Sequence, residues 1–72
     1  MDNIIKEAII NKDWIKIAQN FVLNGENMSM IEIHQIVDRL PLEAIYVCLS
    51  ITGLPVRTRY YCELAVFNLE KG

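Results

Sequence analysis

The chain is 72 residues long, 53% of its residues are hydrophobic, and its formal net charge is −2. This length predicts one domain spanning residues 1–72, and the mildly acidic charge argues against binding to nucleic acid or to an anionic membrane, which both need a basic patch. A domain of this size buries only about 60% of the surface that its unfolded chain exposes, so the apolar content indicates a surface shared with a partner.

The ends of the chain and its composition suggest where the protein acts. The first seven residues mix both charge signs, unlike a secretory signal, and no apolar run approaches the ~20 residues of a membrane helix. We therefore expect a cytoplasmic protein, and Met1 with the polar end at residues 70–72 suggests a complete short gene product. The eleven Ile and six Asn residues are typical of an AT-rich genome, which suggests a phage or mobile-element protein in a host cytoplasm.

Two helices are predicted in the first third of the chain, over residues 2–11 and about 13–24. Apolar residues recur at helical spacing in both segments, while residues 12 and 13 allow either a break or a continuation. Gly25 follows the second helix, where glycine often adopts a left-handed conformation. The apolar stripes consist of Ile4, Ile5, Ala8 and Ile9 in the first helix and Trp14, Ile17, Ala18 and Phe21 in the second.

The middle of the chain predicts a third and a fourth helix. Ser29 and Glu32 have the spacing of a capping box, which starts a helix with Met30, Ile33, Val37 and Leu40 on its apolar face. Pro41 begins the next helix, about residues 41–52, because proline is favoured in a first turn. Its run Ala44–Leu49 has no polar residue, and a helix that is apolar on all sides should be covered on all sides. We predict that this is the central helix.

The last predicted helix begins near Arg57 or Thr58 and ends near Glu70. Its apolar stripe is wide and consists of Tyr60, Tyr61, Leu64, Ala65, Phe67 and Leu69. The whole pattern predicts an all-α fold, a compact bundle of four to five short helices.

Few residues in the sequence could carry out chemistry. His34 and Asp38 stand four apart and could pair on one helix face, but no nucleophile lies in a recognisable turn beside them. Cys48 and Cys62 fall in apolar helical patterns, which favours two buried thiols, with a disulfide as the alternative. We predict that the protein is not an enzyme and that it has no cofactor and no metal site.

Partner binding is the function that the residue types favour. Tyrosine and arginine are over-represented at interface hot spots, although the tyrosines could equally be core residues and the arginines a solvated helix start. We predict a protein-binding regulator or inhibitor that acts by steric occupation of a partner protein, with a homodimer expected. The alternative is a small DNA-binding transcription regulator that uses the last helix. The predicted partner-binding residues are Arg57, Arg59, Tyr60, Tyr61, Tyr46 and Leu49.

Overall fold

The structure, a computed structural model, describes residues 2–71, so Met1 and Gly72 lie outside the described residues. It is 79% helical, with five helices and no strand within that range, and this confirms the predicted all-α bundle. The helices are α1 (Asn3–Ile10), α2 (Trp14–Asn24), α3 (Met30–Val37), α4 (Leu42–Ser50) and α5 (Val56–Lys71), and a 3₁₀ turn (Gly25–Asn27) joins α2 to α3.

Side-chain caps start the first three helices, including the capping box that the sequence predicts at Ser29. The carboxylates of Asp2 and Asp13 each accept a hydrogen bond from an N–H in the first turn that follows. At α3 the capping box is complete, because Ser29 Oγ accepts from the Glu32 N–H and Glu32 Oε1 accepts from the Ser29 N–H. Lys12 has a positive φ of 57°, so the chain breaks between α1 and α2 and does not continue as one helix.

The prediction of a left-handed Gly25 is wrong, because its φ is −59°. Gly25 is buried within the 3₁₀ turn, and a Cβ built on it would lie 2.9 Å from Pro55 Cγ and 3.0 Å from Thr58 Oγ1. Glycine is therefore needed there for close packing against the start of α5. Gly53, in the link between α4 and α5, is the glycine with a positive φ, +87°.

The core is formed mainly by one side of each helix, and α4 lies between α2 and α5. Ala44, Ile45 and Cys48 of α4 have no exposed surface, as expected for a central helix. Tyr46 of the same helix is 45% exposed, however, so the apolar run is not covered on all sides. The buried apolar residues are Ile5, Ala8, Ile17, Ala18, Phe21, Ile33, Ile36, Val37, Leu40, Ala44, Ile45, Cys48, Leu54 and Cys62.

Candidate protein-binding surface

Helix α5 carries apolar side chains on two opposite faces. Its inner face contains Cys62, which has no exposed surface, with Ala65 and Val66 packed against the core. Its outer face contains four apolar side chains spaced at successive helical turns, and we call these the outer stripe. The outer stripe consists of Val56 (83% exposed), Tyr60 (60%), Leu64 (40%) and Phe67 (60%). A helix that is apolar on both faces is expected to be covered on both.

Helix α3 extends this apolar surface. Met30 is 51% exposed and Ile31 is 71% exposed, although the periodicity places Met30 on the core side. A shallow groove of about 290 Å³ lies beside them, and we call it the α3 groove; it is lined by Met30, Ile31, His34, Gln35 and Tyr61.

Stacked rings connect the α3 groove to the outer stripe. The Tyr60 and Tyr61 rings meet edge to face with centroids 5.5 Å apart, and Tyr61 meets the His34 ring in the same way at 5.2 Å. Such contacts are the preferred geometry of aromatic pairs. The groove and the stripe are therefore one continuous surface, the α3–α5 face.

The His34 side chain also contacts an acid, as its spacing predicts. His34 Nδ1 lies 3.5 Å from Asp38 Oδ2, and both side chains are more than half exposed. An exposed pair of this kind contributes little to stability. Both thiols of the chain are buried, so neither is presented to solvent beside this imidazole, and the prediction of a protein that is not an enzyme stays a prediction.

Cys48 and Cys62 are free thiols with no exposed surface, which confirms the prediction of two buried thiols. They lie on α4 and α5. The neighbouring Cys62 side chain and burial both raise the pKa of the Cys48 thiol, because both favour its protonated form. The pair is chemically quiet and belongs to the core.

Metal binding and membrane insertion are two other possibilities for residues 2–71. Over that range no three His, Cys, Asp or Glu side chains come together as metal ligands would. Equally, none of the described helices has the length and apolar character needed to cross a bilayer.

The chain was compared with known protein families, with curated proteins and with solved structures, and none of the three comparisons found a match.

Arg57, a predicted partner-binding residue, contacts its own chain. Its Nη2 donates to the carbonyl oxygens of Glu26 at 2.9 Å, Met28 at 3.1 Å and Gly25 at 3.5 Å. These carbonyls belong to the 3₁₀ turn and the residue after it. The Gly25 oxygen also accepts from the Met28 N–H, so the guanidinium mainly satisfies the Glu26 and Met28 oxygens at this terminus. Arg57 therefore ties the start of α5 to the loop between α2 and α3.

Replacing Arg57 with alanine is expected to lower the free energy of unfolding by about 1–2 kcal/mol, since bonds from a charged donor are stronger than neutral ones but this site is partly solvated. The measurement is urea unfolding followed by circular dichroism. Arg57→Lys is the matched variant: it keeps the charge but loses the fork geometry, so it should lie between the wild type and Arg57→Ala. An unchanged unfolding midpoint in Arg57→Ala would show that these bonds are not formed.

The other predicted residues do not all meet in one place. Tyr60 lies in the outer stripe and Tyr61 lies half-buried beside it, and Arg59 is half-buried on the same helix. The Tyr46 hydroxyl donates to Glu70 Oε2 at 2.6 Å, and this bond raises the pKa of Tyr46 because it favours the protonated phenol. Glu70 is about 20 Å along α5 from Arg57, so Tyr46 of α4 contacts the end of α5 that is opposite to Arg57.

Two positions differ from the predicted set of partner-binding residues, for different reasons. Leu49, which was predicted to contact a partner, is half-buried and packs against the core. Ile31 was not predicted, yet it is one of the most exposed large apolar residues. The signal for Ile31 is that α3 has more apolar residues than one stripe can hold: Met30, Ile31, Ile33, Ile36 and Val37.

Proposed function

We propose that this protein is a small regulator without enzymatic activity that binds another protein through the α3–α5 face. It acts sterically, by covering a surface of its partner and so blocking or adapting it. One observation carries the proposal: exposed apolar side chains of α3 and α5 form a continuous surface on the side of α5 that faces away from the core. Contiguous apolar patches of several hundred Å² are typical of protein-binding sites.

The composition of the face also supports binding to protein. Its centre contains two tyrosines and a phenylalanine, residue types that are enriched at the centres of interfaces. Its charged neighbours include Asp38 and Glu63 together with Arg59 and Lys71, whose Nζ lies 5.5 Å from the centroid of the Phe67 ring. A partner with an apolar ridge and flanks of both charge signs matches this arrangement.

The DNA-binding alternative receives less support from the geometry. It relies on Arg57 and Arg59 at the start of the last helix as phosphate contacts. Arg57 already donates to three carbonyl oxygens of its own chain, and Arg59 is half-buried. Phosphate binding needs several free cations on one face, so we keep protein binding as the proposed function. A cytoplasmic location and a phage or mobile-element origin stay predictions.

The experiment compares capture by two matched variants. The wild type, Ile31→Gln and Leu23→Gln are immobilised and exposed to lysate of a low-GC bacterium. Ile31 and Leu23 are similarly exposed, at 71% and 77%, but only Ile31 lies in the α3–α5 face. We expect one polypeptide to be held by the wild type and by Leu23→Gln and to fall at least tenfold on Ile31→Gln, with 1:1 binding when both proteins are purified.

Two results would contradict the proposal. The first is equal retention on all three proteins, and the second is nothing held above bare resin. Salt-sensitive retardation of a random DNA duplex by the wild type would instead favour the DNA-binding alternative.

A further inference from the structure

We propose that a second copy of this chain binds the outer stripe, so that two α5 helices pack antiparallel about a twofold axis near Leu64. The inference rests on the proposed function in one respect, since both require the α3–α5 face to bind protein. It goes further by naming the occupant of the outer stripe and the geometry of the pair.

The spacing of the aromatic residues makes the stripe self-complementary. Tyr60 and Phe67 lie on the same face of α5, about equally far on either side of Leu64. In an antiparallel pair, Tyr60 of each copy therefore meets Phe67 of the other, and the two Leu64 side chains pack near the axis. The same surface is used on both copies, as a twofold interface requires.

The charges beside the stripe fit the same arrangement. Arg59 and Glu70 lie on one flank of the outer face, again about equally far from Leu64. The twofold axis of an antiparallel pair is perpendicular to the helices. It places the same flank of both copies on the same side of the interface, with the two helices running in opposite directions. Arg59 of each copy therefore faces Glu70 of the other. Glu63 is on this flank too, four residues after Arg59. In the antiparallel dimer the Arg59 guanidinium therefore lies between Glu63 of its own copy and Glu70 of the other. In a parallel pair the twofold axis runs along the helices and places like flanks on opposite sides of the interface, so Arg59 of one copy would not face Glu70 of the other.

The exposed area of the outer stripe limits the affinity of the dimer. The four side chains of the outer stripe are 40–83% exposed, which amounts to roughly 400–500 Å² of mostly apolar surface per copy, given about 150–250 Å² for each aromatic side chain. A standard interface uses about 800 Å² per partner. We therefore expect a reversible dimer with a dissociation constant on the order of micromolar, and not an obligate one.

The test is the mass of the purified full chain by sedimentation velocity and light scattering, from about 5 to 500 µM. The expected mass rises from the 8.3 kDa of one chain toward twice that value. Phe67→Glu should remain monomeric over the whole range, because it places a carboxylate against Tyr60 of the partner. The introduced carboxylate also stands four residues before Lys71, a spacing of opposite charges that favours the α5 helix. Leu23→Glu is the matched control and should dimerise like the wild type.

A charge exchange tests the antiparallel direction. Arg59→Glu should weaken dimerisation at least tenfold, and Arg59→Glu combined with Glu70→Arg should partly restore it. The pair of opposite charges is rebuilt in the reverse sense, while Glu63 stays beside position 59 and the Tyr46–Glu70 hydrogen bond is lost. Tyr60→Gln gives a second, neutral disruption, and circular dichroism confirms that every variant is folded. The proposal would be overturned if the wild-type mass stayed at that of one chain or grew beyond that of a dimer. Undiminished dimerisation of Phe67→Glu and Tyr60→Gln would also overturn it. If Arg59→Glu weakened dimerisation and the double exchange recovered none of it, the antiparallel arrangement would be wrong.

The outcome is separable from that of the proposed function. The mass measurement uses the purified chain alone, and the capture experiment uses Ile31 in the α3 groove, outside the stripe. A monomeric chain with Ile31-dependent capture overturns only the second copy as occupant. A dimer that captures nothing overturns only the proposed regulator.

Discussion

Replacing Phe21 with alanine is expected to remove a large part of the stability of the fold. Phe21 is the largest fully buried side chain, only 1% exposed, and lies on the core face of α2. Truncating a buried phenylalanine costs about 3–5 kcal/mol, because the apolar transfer energy is lost and a cavity remains. A chain of 72 residues has about 4–11 kcal/mol in total. Thermal unfolding by circular dichroism should show a midpoint lower by at least ~12 °C.

Leu23→Ala is the control for this experiment. Leu23 lies on the same helix but is 77% exposed, so its truncation should change the free energy of unfolding by less than about 0.5 kcal/mol. If the two variants lost similar stability, Phe21 would not be the core residue that its burial indicates.

The second large effect is expected from Gly25→Ala, which should lower the free energy of unfolding by about 2–3 kcal/mol. The added methyl would approach the Pro55 ring at 2.9 Å and Thr58 Oγ1 at 3.0 Å, and the ring can yield little. Overpacking of this kind forces backbone or rotamer shifts. Because φ of Gly25 is −59°, the cost comes from the contact alone and not from backbone strain. Urea unfolding gives the measurement.

A double-mutant cycle with Thr58→Ala isolates this contact. The Thr58 hydroxyl is buried and has no hydrogen-bond partner among the described residues, so its removal leaves no donor unsatisfied elsewhere and makes room for the methyl. Gly25→Ala should therefore cost less in the Thr58→Ala background, by about 1 kcal/mol. Additive effects would show that the two positions do not touch.

Local signals in the sequence were sufficient for the helices and their starts. The Ser29 capping box and the Asp13 cap each depend on residues within four positions of one another, so the sequence contains the whole cause. Gly25 shows the limit of such reasoning. Its neighbours in the chain are those of a helix terminus, but its requirement for glycine comes from Pro55, thirty residues away.

Helix α5 shows why the candidate surface was only partly predictable. Its apolar residues surround the helix, so periodicity alone does not say which side faces inward. The structure buries polar Thr58 and exposes Val56 and Phe67, the reverse of what hydrophobicity suggests. The aromatic and arginine cluster draws attention to the first half of α5, but the internal bonds of Arg57 and the exposure of Ile31 depend on how α5 packs against its neighbours.

The buried thiols of Cys48 and Cys62 allow the opening of the fold to be measured by thiol labelling. Neither sulfur has exposed surface, and the two lie where α4 packs on α5, so a thiol reagent can react only after those helices separate. With fast reclosing, the labelling rate reports the free energy of that separation. A partner that binds α5 only in the closed state then lowers the labelling rate by a factor set by its affinity and concentration.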